Sequence, residues 1–483
     1  MSPSDKPFDE ERYKALMDGL ECNEVLLSNT RVENPVFRFD AEYFNKEVLS
    51  LVTRIKTKTN RLISSSFIVS KLAGFEFTEY FTPKNMSSND CYIALTSKNV
   101  HQNQLDLNEC ITIDRRVADV FLKRSSLKKN DVVLSYTGEY RRALTLFDGG
   151  YQLGPNVCRL TPIDRIINPH YLSVFLNSAV GQKILDREKT LSAQPTVAMS
   201  RIRAIRVPVF SKLQIEIEKL ITISNTAQGK AGKLVGEAVE VLDRELDIKS
   251  VQTSTISIKT LKDSFEVTGR LDAEYYQPKY DEYLSLIANY KNGYSIIKDE
   301  FLPIREICDR SLAEYQYVEI GDVDIGTGSA SYNTIATDDL PDNAKIITQK
   351  NDVLVSTVRP NRGAVAILED NDLLVSSAFT VLRERGTYKK EVLQVLLRLP
   401  LYRDWLLRYN VGTSYPVIKD DDVLNMPIPL FEDAVQKEIT AKVQESFALR
   451  RQSKQLLEYA KQAVEMAIET DENIAMNWLQ AQI

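Results

Sequence analysis

The sequence predicts an internally duplicated α+β protein, in which two mixed α/β domains are separated by two long helices packed on each other as a coiled coil. Three observations predict it. One register of self-similarity persists along the chain. Each copy runs in the same order from an amphipathic segment through strands to a short helix, a loop and a Pro-containing strand. Each copy then ends in a stretch with 4-3 spacing of apolar or small residues.

The repeat is explicit. Arg38-Phe39-Asp40-Ala41-Glu42-Tyr43 returns as Arg270-Leu271-Asp272-Ala273-Glu274-Tyr275, displaced by 232 residues. Lys129-Asn130-Asp131-Val132-Val133-Leu134-Ser135 returns as Lys350-Asn351-Asp352-Val353-Leu354-Val355-Ser356 at 221. The same 221 register carries Tyr171–Leu185 onto Val392–Leu406, each expected as one short helix, and Val207–Phe210 onto Ile428–Phe431. A period this long excludes a solenoid and implies a duplicated domain-plus-helix unit. The predicted boundaries are an N-terminal extension (1–30), a first domain (31–210), a central long helix (211–250), a second domain (251–431) and a C-terminal long helix (432–483).

The first helical seam reads Leu213, Ile217, Leu220, Ser224, Ala227, Ala231, Leu234, Ala238 and Val241. The second reads Val435, Ile439, Lys442, Ser446, Leu449, Ser453, Leu456, Ala460, Ala463 and Ala467. Two matched seams in one chain predict mutual packing, and about 35 residues at ~1.5 Å each make a spacer of roughly 50 Å. Gly229, Gly232 and Gly236 each cost about 1 kcal/mol relative to Ala inside a helix. They are expected to permit close approach or to mark a bend.

Composition bounds the function. The 483 residues are 43% hydrophobic and 27% charged, with 61 basic against 67 acidic side chains. Five cysteines without a C-x-x-C pair and two histidines argue against a zinc site and for reduced thiols; no metal is expected. No apolar run approaches the ~20 residues of a membrane span, and Met1–Arg12 is acidic where a signal peptide is basic, so a cytoplasmic protein is expected. The net charge of −6 conceals an asymmetry. Residues 20–210 hold 26 basic and 19 acidic side chains (+7), whereas residues 251–431 hold 20 and 27 (−7). A basic domain interleaved with Tyr and Asn suits contact with nucleic-acid phosphates.

The repeated opening Arg270-Leu271-Asp272-Ala273-Glu274-Tyr275-Tyr276-Gln277-Pro278, the Lys350–Ser356 segment and the Pro-containing strand before each long helix resemble the specificity subunit of type I restriction-modification systems. The resemblance covers about 30–483. It implies two target recognition domains, each reading half of a split double-stranded DNA sequence. It also implies that the long helices pack antiparallel as a ruler between half-sites and dock methyltransferase subunits, two of them expected. No catalytic residue and no cofactor are then expected in this chain. Adenine methylation with S-adenosylmethionine, and cleavage by a restriction or translocase subunit, would lie with partners in a phage-defence system. The alternative class is a duplicated adaptor in a related defence complex, with only the first, basic domain on DNA. A stand-alone methyltransferase is disfavoured because no cofactor fold is legible.

Candidate DNA contacts fall in loops that follow the repeated strands. After Ser135 come Tyr136, Arg141 and Arg142; after Ser356 come Arg359, Asn361 and Arg362, placing guanidinium groups in turns that reach phosphate or a guanine edge. A second loop of each copy offers Gln194 and Thr196, or Ser414, Tyr415 and Lys419. Arg201 and Arg203, with Arg206, are expected along one face of a strand. All of these positions also suit solvated or tight structural turns. Two strings imitate methyltransferase motifs. Asn168-Pro169-His170-Tyr171 reads better as a helix start, and Asp324-Ile325-Gly326-Thr327-Gly328 as a turn between strands.

Overall fold

The computed structural model describes residues 9–19, 24–28, 30, 34, 38–138, 140–190, 193–248, 256–412 and 414–483. Residues 1–8, 20–23 and 29 of the expected N-terminal extension, together with Leu191, Ser192 and Thr413 of the second loops, lie outside these residues. The chain forms two units, 1–226 with 452–483, and 227–451, so each long helix contributes to both.

In the first unit, helix α1 (Lys46–Thr57) precedes a four-stranded antiparallel sheet of β1 (Phe67–Lys71), β2 (Val132–Ser135), β3 (Ala143–Thr145) and β4 (Val157–Pro162), in the order β1-β4-β2-β3. A second four-stranded sheet orders Ile111–Asp114, Cys91–Leu95, Tyr151–Leu153 and Ser126–Leu127, with a parallel pair in the middle. Then come α2 (Pro169–Asn177), α3 (Ala179–Glu188), α4 (Met199–Ala204) and β5 (Arg206–Pro208), which pairs with Asn60–Leu62. Pro208 and its counterpart Pro429 sit in two-stranded ribbons, where a missing N–H interrupts no sheet interior.

The second unit repeats this plan. After α6 (Pro278–Ala288), strands β6 (Phe301–Ile304), β7 (Val353–Ser356), β8 (Val365–Ile367) and β9 (Phe379–Glu384) pair in the order β6-β9-β7-β8. Its other sheet orders Asn333–Ala336, Glu314–Val318, Leu374–Ser376 and Ala344–Ile347, again with a central parallel pair. Helices α7 (Lys390–Arg398) and α8 (Pro400–Leu406) and strand β10 (Pro427–Pro429) follow. The duplication in sequence is therefore a duplication of strand order.

The repeated Asn-Asp pair explains itself. Asn130 and Asn351 hold the left-handed turn before β2 and β7, at φ +69° and +76°, a conformation Asn tolerates better than most residues. The next residue is a buried aspartate. Asp131 accepts from the Lys128 N–H at 2.8 Å and from the Thr161 hydroxyl at 2.6 Å. Asp352 accepts from the Gln349 N–H at 2.8 Å and takes both arms of Arg383 at 2.7 and 2.8 Å.

Each stretch expected as one short helix is two. Ser178 ends α2 and caps α3 by accepting from the Gly181 N–H, and Pro400, without an N–H to donate, starts α8. Asn168 caps α2 with Pro169 in its first turn, so that string is a helix start; Asp324–Gly328 is the turn joining strands Val323–Asp324 and Ser329–Ala330. Arg201 and Arg203 lie on α4, not on a strand: Met199–Ala204 is helical, and the paired strand begins only at Arg206.

The long helices are α5 (Ser211–Leu246) and α9 (Asp433–Glu469); Asp471 then caps a separate α10 (Glu472–Gln482). In the first unit Leu213, Ile217 and Leu220 share a core with Leu456, Ala460, Ala463 and Ala467. In the second, Ala238, Val241 and Leu242 share one with Ile439, Val443 and Phe447, with Val435 against it. Early α5 thus meets late α9 and the reverse, which is antiparallel pairing. Ala227 and Leu234 are buried, and Leu449 partly so. Small residues set the approach: the Ser224 and Ser453 hydroxyls meet at 2.7 Å, and Ser446 donates to the Ala231 carbonyl at 2.9 Å. The three glycines do not share in this, because a β-carbon on Gly229, Gly232 or Gly236 would meet nothing within 4 Å and α5 runs through them unbroken.

Candidate nucleic-acid interface

In each unit the fold joins the two loops that the sequence left apart. In the first, the Val197 N–H donates to the Tyr136 carbonyl at 2.9 Å, and the Thr137 and Thr196 hydroxyls meet at 2.9 Å. Gln194 is exposed beside this junction, and the Lys71 ammonium stands 5.1 Å from the Tyr136 ring centroid. Lys71 ends β1 and escaped the sequence reading; its only signal was a cation closing a strand.

In the second unit the Arg359 N–H donates to the Pro416 carbonyl at 2.7 Å, and the Ile418 N–H to the Thr357 carbonyl at 2.9 Å. Arg359 adopts φ +51°, and its guanidinium lies 5.5 Å from the Tyr415 ring centroid. Arg359, Arg362, Ser414, Tyr415 and Lys419 are all exposed on this joined pair. The loop is shaped by Asn410, whose Oδ1 accepts from Gly412 and Val417 at 2.8 and 3.0 Å. Gly412 is required here, since a β-carbon would fall 2.0 Å from the Tyr415 oxygen. Such a surface presents guanidinium, ammonium, hydroxyl and an aromatic face, the groups that meet phosphate and bases.

Other expected contacts are tied down within their own unit, although Arg203 remains exposed. Arg141, at φ +75°, pairs with Asp186, which also accepts from the Tyr140 hydroxyl, so its guanidinium ties the turn to α3. Burial and that carboxylate push the Tyr140 phenol up to about 12. Arg142 is partly buried, with its N–H on the Ser135 hydroxyl at 3.0 Å. Arg201 is buried and donates to the Glu188 carbonyl at 2.9 Å, and Arg203 donates to the Val69 carbonyl at 2.8 Å. Asn361 is partly buried, its carbonyl accepting from Arg403 at 2.8 Å. Most of the coiled-coil residues are buried along the helix pair, with Val435 and Leu449 partly exposed.

Among the described residues no group of three or more His, Cys, Asp or Glu is placed to hold a metal ion, and no helix is long and apolar enough to cross a membrane. Cys91, Cys110, Cys158 and Cys308 are free.

The geometry is that of a duplicated α/β module with one exposed loop pair per unit and an antiparallel helix pair. This chain is similar to the specificity subunits of type I restriction-modification systems. The EcoBI specificity subunit of Escherichia coli is 27% identical over 111 residues, which is 23% of this chain and 23% of that relative. Among solved structures, the S subunit from M. genitalium aligns over 88% of this chain and 96% of its own, at 12% identity and TM-score 0.35. The HsdS subunit from Thermoanaerobacter tengcongensis aligns over 85% and 96%, at 12% and 0.28. A chain from a type I R-M system studied for its assembly and conformational transition aligns over 85% and 97%, at 13% and 0.29. No protein-family model matches.

Proposed function

We propose that the chain is a non-catalytic DNA-specificity subunit that recognises a bipartite target, one loop pair to each half-site, and directs partner methyltransferase subunits to it. The single observation that supports this most is the repetition, in both units, of the same strand order carrying the same joined loops. A split recognition sequence needs two similar readers, and a methyltransferase partner would supply S-adenosylmethionine and the methyl transfer. The long helices would set the gap between half-sites, and their outer faces would receive two partner subunits. A restriction subunit would join the same complex.

Co-expression with the methyltransferase encoded beside it, followed by sequencing that detects N6-methyladenine, tests the proposal. The expected result is methylation at a two-part motif that disappears when this chain is omitted. Methylation independent of the chain, or none with both proteins present, would overturn it.

A further inference from the structure

We propose that the second unit carries a site for a phosphate group, formed by Arg362, Arg398 and Arg403 around a cavity lined by Val239 and Val395. The cavity is about 120 Å³. At ~30 Å³ of liquid per water, that is room for about four waters or one tetrahedral oxyanion.

The three arginines all line this cavity. Among the described residues none of them makes an ion pair, although residues 251–431 carry 27 acidic side chains against 20 basic ones. Several other arginines of this unit find carboxylates, Arg270 with Asp272, Arg383 with Asp352 and Arg451 with Glu369, while Arg310 is likewise held by carbonyls. Two of the three are instead oriented by backbone, while Arg362 is exposed at the rim. Arg398 donates from Nη2 to the Ile325 and Gly326 carbonyls, both at 2.7 Å, and Arg403 from Nε to the Asn361 carbonyl at 2.8 Å. Carbonyls fix a guanidinium without neutralising it. Burial, with the charges of Arg450 and Arg403, pushes Arg398 down to about 10 against the pull of Asp324, so it remains a cation at neutral pH.

The first unit shows what the same staples need when no anion is to be bound. In the 221 register Arg398 and Arg403 stand where Asn177 and Gln182 do. Gln182 makes its staple with a neutral amide, donating to the Arg141 carbonyl at 2.7 Å, and Asn177 bonds to both backbone groups of Ala143 at 3.0 and 2.7 Å. The arginine of that turn, Arg141, is neutralised by Asp186, whose counterpart in the second unit is Leu407. The left-handed place of the turn is Arg141 in one unit and Gly363 in the other, at φ +75° and +76°. A β-carbon on Gly363 would lie 3.0 Å from Cδ of Arg403, so glycine makes the room that the longer side chain occupies. Where the first unit has two neutral amides the second has two arginines, both lining this cavity, and where the first has the carboxylate of Asp186 the second has Leu407. Planar forks on an apolar wall suit a phosphate, which offers several acceptors at once and is bound more strongly where water is scarce.

The site does not rest on the proposed function, since the phosphate of DNA and phosphate free in solution share the chemistry it would recognise. The test is a thermal-shift titration of the full chain with inorganic phosphate against chloride at matched ionic strength. A phosphate-specific rise in Tm is expected for the native chain and for the remote variant Arg451→Gln. The double variant Arg398→Asn with Arg403→Gln, which restores the amides of the first unit, is expected to lose it. Arg362→Gln removes no staple and keeps the test valid should the double variant misfold; it is expected to weaken phosphate about tenfold or more. No phosphate-specific rise in the native chain, or a rise unchanged in Arg362→Gln, overturns the proposal. If the phosphate is DNA's, Arg362→Gln also weakens duplex binding and lowers the salt slope by about one. If it is free phosphate, duplex affinity is unchanged while the Tm rise is lost. Failure of the native chain to bind any duplex would count against the proposed function and leave this site standing.

Discussion

Arg270 holds Asp272 with two parallel hydrogen bonds, Nε to Oδ1 at 2.8 Å and Nη2 to Oδ2 at 2.6 Å, and the same Nη2 reaches the Asn410 carbonyl at 3.1 Å. In the first unit Arg38 forks onto Asp40 likewise and donates to the carbonyls of Arg187 and Lys189 at 2.8 and 2.7 Å. The repeated Arg-x-Asp is therefore a clamp: each motif secures the chain just before a second loop.

Arg38→Ala is expected to lower stability by about 2–3 kcal/mol, the scale of charge-assisted bonds lost from a group that is only 10% exposed. The clamp should also respond to acid. Arg38 holds the Asp40 carboxyl below its ordinary value of 3.8. A depressed carboxylate contributes stability above its unfolded value and loses it as pH falls through the folded one, so the contribution should be full above about pH 3.8 and fade as pH falls below it. Denaturation of native and Asp40→Asn chains across pH 2–6 measures this; parallel curves would refute it.

Arg141 and Arg359 should behave oppositely. Arg141→Ala leaves Asp186 and Tyr140 without their partner and is expected to lower Tm. Arg359→Ala removes a guanidinium that rests on the exposed face of Tyr415, and is expected to leave Tm within a degree or two while weakening duplex binding. Thermal denaturation beside fluorescence anisotropy separates the two, and equal effects on both readouts would contradict these placements.

In the helix seam the Ser224 and Ser453 hydroxyls meet at 2.7 Å, and the two residues are 2% and 0% exposed. Ser224→Leu should overpack it and cost about 1–3 kcal/mol, although leucine is the better helix former and the commoner seam residue. A chemical-denaturation midpoint at or above the native value would show that the helices have room.

Removing Asn225–Ala231 together with Ser446–Gln452 deletes one heptad from each helix and keeps both 4-3 registers in phase. If the helices set the half-site gap, about 10 Å of helix corresponds to roughly three base pairs at ~3.4 Å each. Methylome sequencing should find both half-sites unchanged and the gap shorter by about three. An unaltered gap would remove the ruler from the proposed function.

Duplication, helix seams, helix start at Asn168 and turn at Asp324 were legible because each is a local pattern: a repeated string, a 4-3 spacing, a cap followed by proline, a glycine pair. Periodicity shows which face of a helix is apolar, and burial followed it at Leu213, Ile217 and Leu220. What tertiary structure alone decided was the fate of the charged residues. Arg141, Arg201 and Arg403 look alike in sequence, yet one meets a carboxylate and the others meet carbonyls. A guanidinium reaches several ångströms from its own backbone, and its partner is set by which distant segment folds beside it: Asp186 lies 45 residues from Arg141, and Asn361 lies 42 from Arg403. Local pattern determined the frame of this protein; long-range pairing determined which of its charges are structural and which are left to bind.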